Sequence, residues 1–118
     1  MNTDELKIRT KKFALRIIKL VESLPKSRTA DVIGKQLLRS GTSVGANYRA
    51  ACRARSQADF ISKITIVEEE SDESCYWLEL IEESNLMKKE LLKDIMKEAS
   101  ELTAIFTASG KTAKSNKK

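Results

Sequence analysis

The residues best able to do chemistry in this 118-residue chain form two charged clusters with a glycine-containing segment beside them. RSGTSVGANYRAACRARS, residues 39–56, carries Arg39, Arg49, Arg53 and Arg55. EEESDE, residues 68–73, gathers five carboxylates into six positions. On a helix Glu69 and Glu73 stand at i, i+4, and Glu70 and Glu73 at i, i+3, so two carboxylates could share a cation or divide acid and base roles. A calcium loop, however, needs a glycine turn and alternating oxygen ligands, and this segment reads as helix. It therefore reads as a charged flank that pairs with Lys or Arg, and no metal is expected. GTSVGAN is no phosphate loop either, since that motif needs GxxxxGK[ST] after a strand. The chain has no histidine, which removes Ser-His and Cys-His nucleophiles, HExxH zinc sites and the Glu-x-x-His di-iron pattern. Cys52 and Cys75 match no metal or disulfide spacing and read as reduced thiols packed in a core. Neither an enzyme nor a cofactor is expected.

The basic groups are better organised. Net charge is +5, but the two halves differ in sign. Residues 7–63 hold fourteen Lys and Arg against Glu22, Asp31 and Asp59, whereas residues 64–101 hold four Lys against twelve acids. Such asymmetry serves internal pairing, subunit pairing or capture of a polyanion. Arg9, Lys12, Arg16 and Lys19 fall along one flank of the first helical pattern. Arg49 and Arg53 are expected one turn apart on the second helix, with Arg55 and Lys63 across the turn into the third. Arginine forks bind phosphates bidentately and lysine supplies point charge. These eight residues are the candidate nucleic-acid surface. The competing reading pairs the arginines with the acids at 68–73.

Positioning such groups requires helices, and the apolar spacing supplies them. Leu6, Phe13, Ile17, Val21 and Leu24 recur at helical intervals after an NTDE cap, and Pro25 stops that helix. A second helix from about Thr29 carries Ile33, Leu37, Ser40, Val44 and Ala51 on one stripe. SQAD at 56–59 is a capping signal for a third helix through Phe60, Ile64, Val67, Leu78 and Ile81, ended by Ser84-Asn85. A fourth uses Leu91, Leu92, Ile95, Ala99, Leu102 and Phe106, with Gly110 as its expected end. The sequence predicts an all-α fold, an antiparallel up-down four-helix bundle over residues 1–108, with a disordered basic tail at 109–118. Gly41 and Gly45, at i, i+4 on helix two, are expected where a neighbouring helix comes close. Ile66, Trp77 and Leu80 lie to one side of the third helix's apolar stripe, a surplus that suggests an oligomer interface. No secretory leader or membrane span is expected, and the cytoplasm is the expected location.

LLRSGTSVGANYRAACRARS, then FISK and EEESDESCYWLEL, resembles a bacterial family of small four-helix-bundle proteins often encoded within 23S rRNA intervening sequences. Its members are frequently labelled ribosomal proteins, and it includes the accessory variability determinant of diversity-generating retroelements. The likeness covers about residues 6–108. It is most specific at Ser40, Ser43 to Asn47, Ala50, Ala51, Glu70, Glu73, Ser74 and Tyr76 to Leu78. The resemblance implies a ring-like homopentamer, with nucleic-acid binding for some members and no catalysis. By match to the family's motif, Arg39, Asn47, Glu70 and Glu73 are structural polar groups buried between helices or subunits.

Two functions remain open on this reading. One is a non-enzymatic oligomer that binds nucleic acid, RNA rather than DNA, by backbone charge. The other is an adaptor ring that recruits a protein partner such as a reverse transcriptase. A hydrolase or metal enzyme is a distant third.

Overall fold

Three of the four helices begin on a side-chain cap written into the sequence. The Asn2 side chain accepts from the Glu5 N–H at 2.8 Å, Ser27 from Ala30 at 3.1 Å and Ser56 from Asp59 at 3.1 Å, each satisfying an otherwise unpaired amide of a first turn. The computed structural model describes residues 1–116. It comprises α1 (Thr3–Glu22), α2 (Arg28–Ala51), α3 (Gln57–Glu83) and α4 (Lys89–Ser115), with no strand among the described residues. The fold is all-α. The third helix ends as the sequence predicts: Asn85 takes a left-handed φ of 60° while the following Leu86 N–H reaches the Ile81 carbonyl at 3.1 Å, and asparagine tolerates that conformation better than most residues.

Short connections turn each helix back along its predecessor, and α4 returns to α1 to close the bundle. The cross-helix pairs run in opposite order, as antiparallel packing demands. Thr10 faces Gly45 and Ile17 faces Gly41; the Glu68 carboxylate accepts from Thr107 at 2.6 Å, and Ser71 shares a hydrogen bond with Thr103 at 2.9 Å. Phe13, Ile17, Leu37, Val44, Ile64, Leu78, Leu92, Leu102 and Phe106 are fully enclosed. Tyr48 tilts against Phe106 with ring centroids 5.4 Å apart. Such side chains contribute about 1.5–3 kcal/mol each on burial.

Gly41 and Gly45 let α2 approach α1 closely. A Cβ at Gly41 would stand 2.9 Å from both Ile17 γ-carbons, and one at Gly45 would stand 3.2 Å from Thr10 Oγ1. The helix interior is where glycine costs about 1 kcal/mol against alanine, so close approach is what the two residues supply in return. Thr10 itself is buried, with its hydroxyl donated to the Leu6 carbonyl at 2.8 Å. The packing reading of GTSVG therefore holds.

Three expectations need correction. Gly110 does not end α4, which runs on to Ser115. Gly110 and Ala113 are buried, and the Gln57 side chain donates to the Ala113 carbonyl at 2.9 Å. The start of α3 thus gives the last turns of α4 a surface to pack on, and helical packing outweighs the glycine's cost. The disorder expected at 109–118 does not extend to residues 109–115; Lys117 and Lys118 lie outside the described residues. Leu91, counted with the apolar stripe of α4, is 67% exposed, because it sits in the first turn at the bundle's end and Leu92 takes the inward place.

Gly110 also offers a test. A Cβ there meets only Ile64 Cγ2 at 3.8 Å, ordinary contact. Gly110→Ala is expected to stabilise the protein by up to about 1 kcal/mol through helix propensity, raising the thermal midpoint. A lower midpoint would show the last turns of α4 to be packed differently.

Candidate nucleic-acid interface

The eight sequence-predicted cations divide into those already paired with carboxylates and those in no salt bridge. Arg9 is paired: from α1 it spans to α4, with Nε donating to Glu98 Oε2 at 2.8 Å, Nη2 to Glu98 Oε1 at 2.7 Å and to Glu101 Oε1 at 3.0 Å. Lys63 is paired as well. Its ammonium donates to both Asp59 oxygens at 2.8 and 2.7 Å, while the Arg55 backbone N–H donates to Asp59 Oδ2 at 3.0 Å. Arg49, Arg53, Arg55, Lys12, Arg16 and Lys19 are exposed, and none takes part in a salt bridge among the described residues.

The arginine that does pair with the acids of α3 is Arg39. Its Nη1 reaches Glu70 Oε2 at 2.9 Å and its Nη2 reaches Glu73 Oε1 at 2.6 Å, and Glu73 also accepts from Trp77 Nε1 at 3.1 Å. The Arg39 and Trp77 donors hold the Glu73 carboxyl below its ordinary value. A carboxylate so occupied is no free base. Within one chain Arg39 is half exposed while Glu70 and Glu73 are partly covered, so this cluster lies along the α2–α3 seam rather than inside the core. Asn47 is half-buried, and its amide donates back to the Ser43 carbonyl at 2.8 Å.

The free cations do not share one surface. Arg53 is not on α2: that helix ends at Ala51, since Ser56 opens α3 and the chain must reverse between them. Arg55 borders a hollow at one end of the bundle with Thr3, Tyr48, Cys52 and Phe60. Arg16 and Lys19 border another between α1 and α4, and Asp94 shares it. Arg49 alone of the predicted residues lines the groove between α1 and α2. That groove, about 460 Å³, is bordered by Lys7, Ile8, Lys11, Ala14, Thr42, Gly45, Ala46 and Arg49. Its lining, among the described residues, includes three cations and no carboxylate. Because Gly41 and Gly45 let α1 and α2 approach closely, Lys7 and Lys11 come to face Arg49 across a narrow seam floored by small residues.

Lys7 and Lys11 are the residues that sequence reasoning missed. Their signal was present, since Lys7, Lys11 and Ala14 fall at i, i+4 and i+7. The neighbouring flank, with Arg9, Lys12, Arg16 and Lys19, forms the longer and more regular stripe in the sequence.

The remaining reactive groups offer little chemistry. Burial pushes the Cys75 thiol up from its ordinary value, which leaves less of the nucleophilic thiolate. Burial likewise pushes the Tyr48 phenol up to about 12, so it stays neutral. No group of three or more Cys, Asp and Glu among the described residues could hold a metal ion.

The Arg9 pair carries a pH signature. Hydrogen bonding from Arg9 holds the Glu98 carboxyl below its unfolded value of 4.5. A depressed folded-state pKa means the contribution is complete above that unfolded value and is lost as pH falls through the folded one. Glu98→Gln should therefore cost about 1 kcal/mol at neutral pH. The gap to the parent protein should narrow in unfolding titrations taken progressively below pH 4.5. A gap that stays constant down to full protonation would show that the pair contributes no titrating stability.

Comparison with known proteins agrees with this architecture. The family model described as 23S rRNA-intervening sequence protein matches residues 5–108. Among solved structures the chain is similar to a protein of unknown function from the S23 ribosomal protein family of Bacteroides thetaiotaomicron. The two are 38% identical with a TM-score of 0.83, and the match covers 89% of this chain and 97% of the other. A search of curated proteins found no match.

Proposed function

Because the chain belongs to the family of 23S rRNA-intervening sequence proteins, we propose that it is a non-enzymatic, self-assembling module that grips the backbone of nucleic acid, RNA before DNA. The observation that carries this reading is the α1–α2 groove with Lys7, Lys11 and Arg49 on its walls and no carboxylate among its lining residues. A groove of one sign on low-dielectric walls concentrates counter-ions of the opposite sign. Lys12, Arg16, Lys19, Arg53 and Arg55 lie outside the groove and add to the positive charge of the molecule, whereas Arg9 and Lys63 act through their carboxylate partners and set structure. The family's name ties its members to 23S rRNA genes, which makes RNA the first ligand to test.

Assembly, a homopentamer by the family resemblance, has support in the apolar side chains left on the surface. Val32 is 57% exposed and Leu15 56%, with Ile66 also uncovered. Trp77 and Leu80, which the sequence reading grouped with Ile66, are partly covered by the core of a single chain. A ring would repeat the groove, and weak contacts would add by avidity. No helix among the described residues is long and apolar enough to cross a membrane, and the proposed site of action is the cytoplasm.

The test is a titration of labelled RNA at two salt concentrations, with light scattering after size exclusion on the same sample. Binding that falls steeply with salt is expected, because each neutralised phosphate releases counter-ion. Absence of binding at low salt would end this reading. It would favour the second one, an adaptor that recruits a protein such as a reverse transcriptase, for which exposed Ile66 and Tyr76 on α3 are the supporting surface.

A further inference from the structure

Resting on the reading of the α1–α2 groove as a backbone-binding site, we infer that its ligand is a double-stranded helix, held by its phosphate rows, and not a single strand. Proteins that hold single strands stack bases on aromatic side chains, and each stacked base contributes substantially. The chain has one Trp, two Tyr and three Phe. None is available to the groove. Phe13, Phe106 and Tyr48 are buried, and Phe60 and Trp77 are half-buried. Tyr76 is exposed, but it stands on α3 with its ring against Trp77 at 5.1 Å, between Asp72 and Glu79 in the chain. Those carboxylates repel a phosphate chain.

Base-edge reading is equally unsupported. The polar donors on or beside the groove are turned onto their own helix. Thr42 donates to the Leu38 carbonyl at 2.7 Å, Ser43 to Arg39 at 2.6 Å and Asn47 to Ser43 at 2.8 Å. What remains for recognition is charge set on rigid helices. The α1 wall of the groove, from Lys7 to Ala14, spans about 10 Å at the helical rise. Over that length a duplex presents about six phosphates, twice the linear charge of one strand. A fixed array of cations fits a stiff duplex better, because a flexible strand must also lose conformational freedom to follow it.

The experiment compares fluorescently labelled duplex RNA, duplex DNA and unstructured single-stranded poly(U) of equal length, about 20 nucleotides, each titrated with the full chain. Both duplexes should bind at least about tenfold tighter than poly(U), with little difference among duplex sequences. Tyr76→Ala should leave all three affinities unchanged. Poly(U) binding as tightly as the duplexes, or a loss of poly(U) affinity in Tyr76→Ala, would overturn the inference while leaving backbone binding intact. No binding to any of the three would remove the underlying reading and the inference with it.

Discussion

Reversing Lys7, Lys11 and Arg49 together to Glu is expected to abolish nucleic-acid binding without unfolding the protein. The three line one groove with no carboxylate among its lining residues, and none of them forms a salt bridge among the described residues. Loss of three phosphate contacts should lower the slope of log affinity against log salt by about three and weaken binding by more than about a hundredfold at low salt. The control is the triple reversal Lys89→Glu, Lys93→Glu and Lys97→Glu on α4. Those lysines are exposed as well, and the change in net charge is the same. If both variants lost affinity equally, the effect would be one of total charge and the groove would have no special part. If only the groove variant lost it, and its melting curve matched the parent's, binding would be local to α1 and α2.

The second large effect concerns stability. Gly41→Leu should destabilise the protein by about 3 kcal/mol, the upper part of the range for overpacking. A Cβ at this position already meets Ile17 at 2.9 Å, and a β-branched side chain on a helix has essentially one rotamer, so it cannot swing aside. Even Gly41→Ala should lower the thermal midpoint, although alanine favours a helix by about 1 kcal/mol over glycine. Gly45→Leu should act in the same direction, because Thr10 lies 3.2 Å from the added Cβ and its hydroxyl is held by Leu6. Gly41→Ala and Gly110→Ala thus exchange the same residues on helices and should move the midpoint in opposite directions. A rise in both would mean that α1 and α2 are not packed closely at Gly41. The groove depends on the same contact, so Gly41→Leu is also expected to spread Lys7 and Lys11 away from Arg49 and weaken RNA binding in whatever fraction stays folded.

Local signals were legible where one or two neighbouring residues decide the outcome. Ser56 capping Asp59 and Asn85 turning left-handed both follow from side-chain chemistry within a few positions. Gly41 and Gly45 were legible too, because their i, i+4 spacing inside an amphipathic pattern leaves close packing as the reason for their presence. Gly110 was misread because the same residue type ends a helix or passes through one according to what it packs on. Its contact is Ile64, 46 positions earlier in the chain.

The sequence by itself determined four amphipathic helices, the small-residue seam between the first two, and a basic half set against an acidic half. Only the tertiary structure decided which charges are free. Arg9 finds Glu98 across 89 residues and Arg39 finds Glu70 across 31, whereas Arg49 pairs with no carboxylate among the described residues and instead lines a groove with Lys7 and Lys11. An ion pair forms only within a few ångströms, and that distance is set by which helix faces meet when the core closes. Helical periodicity marks the inward face of each helix, but it does not say which neighbour lies on either flank. The acid-free groove is therefore a consequence of packing, visible only once α1 and α2 have been laid side by side.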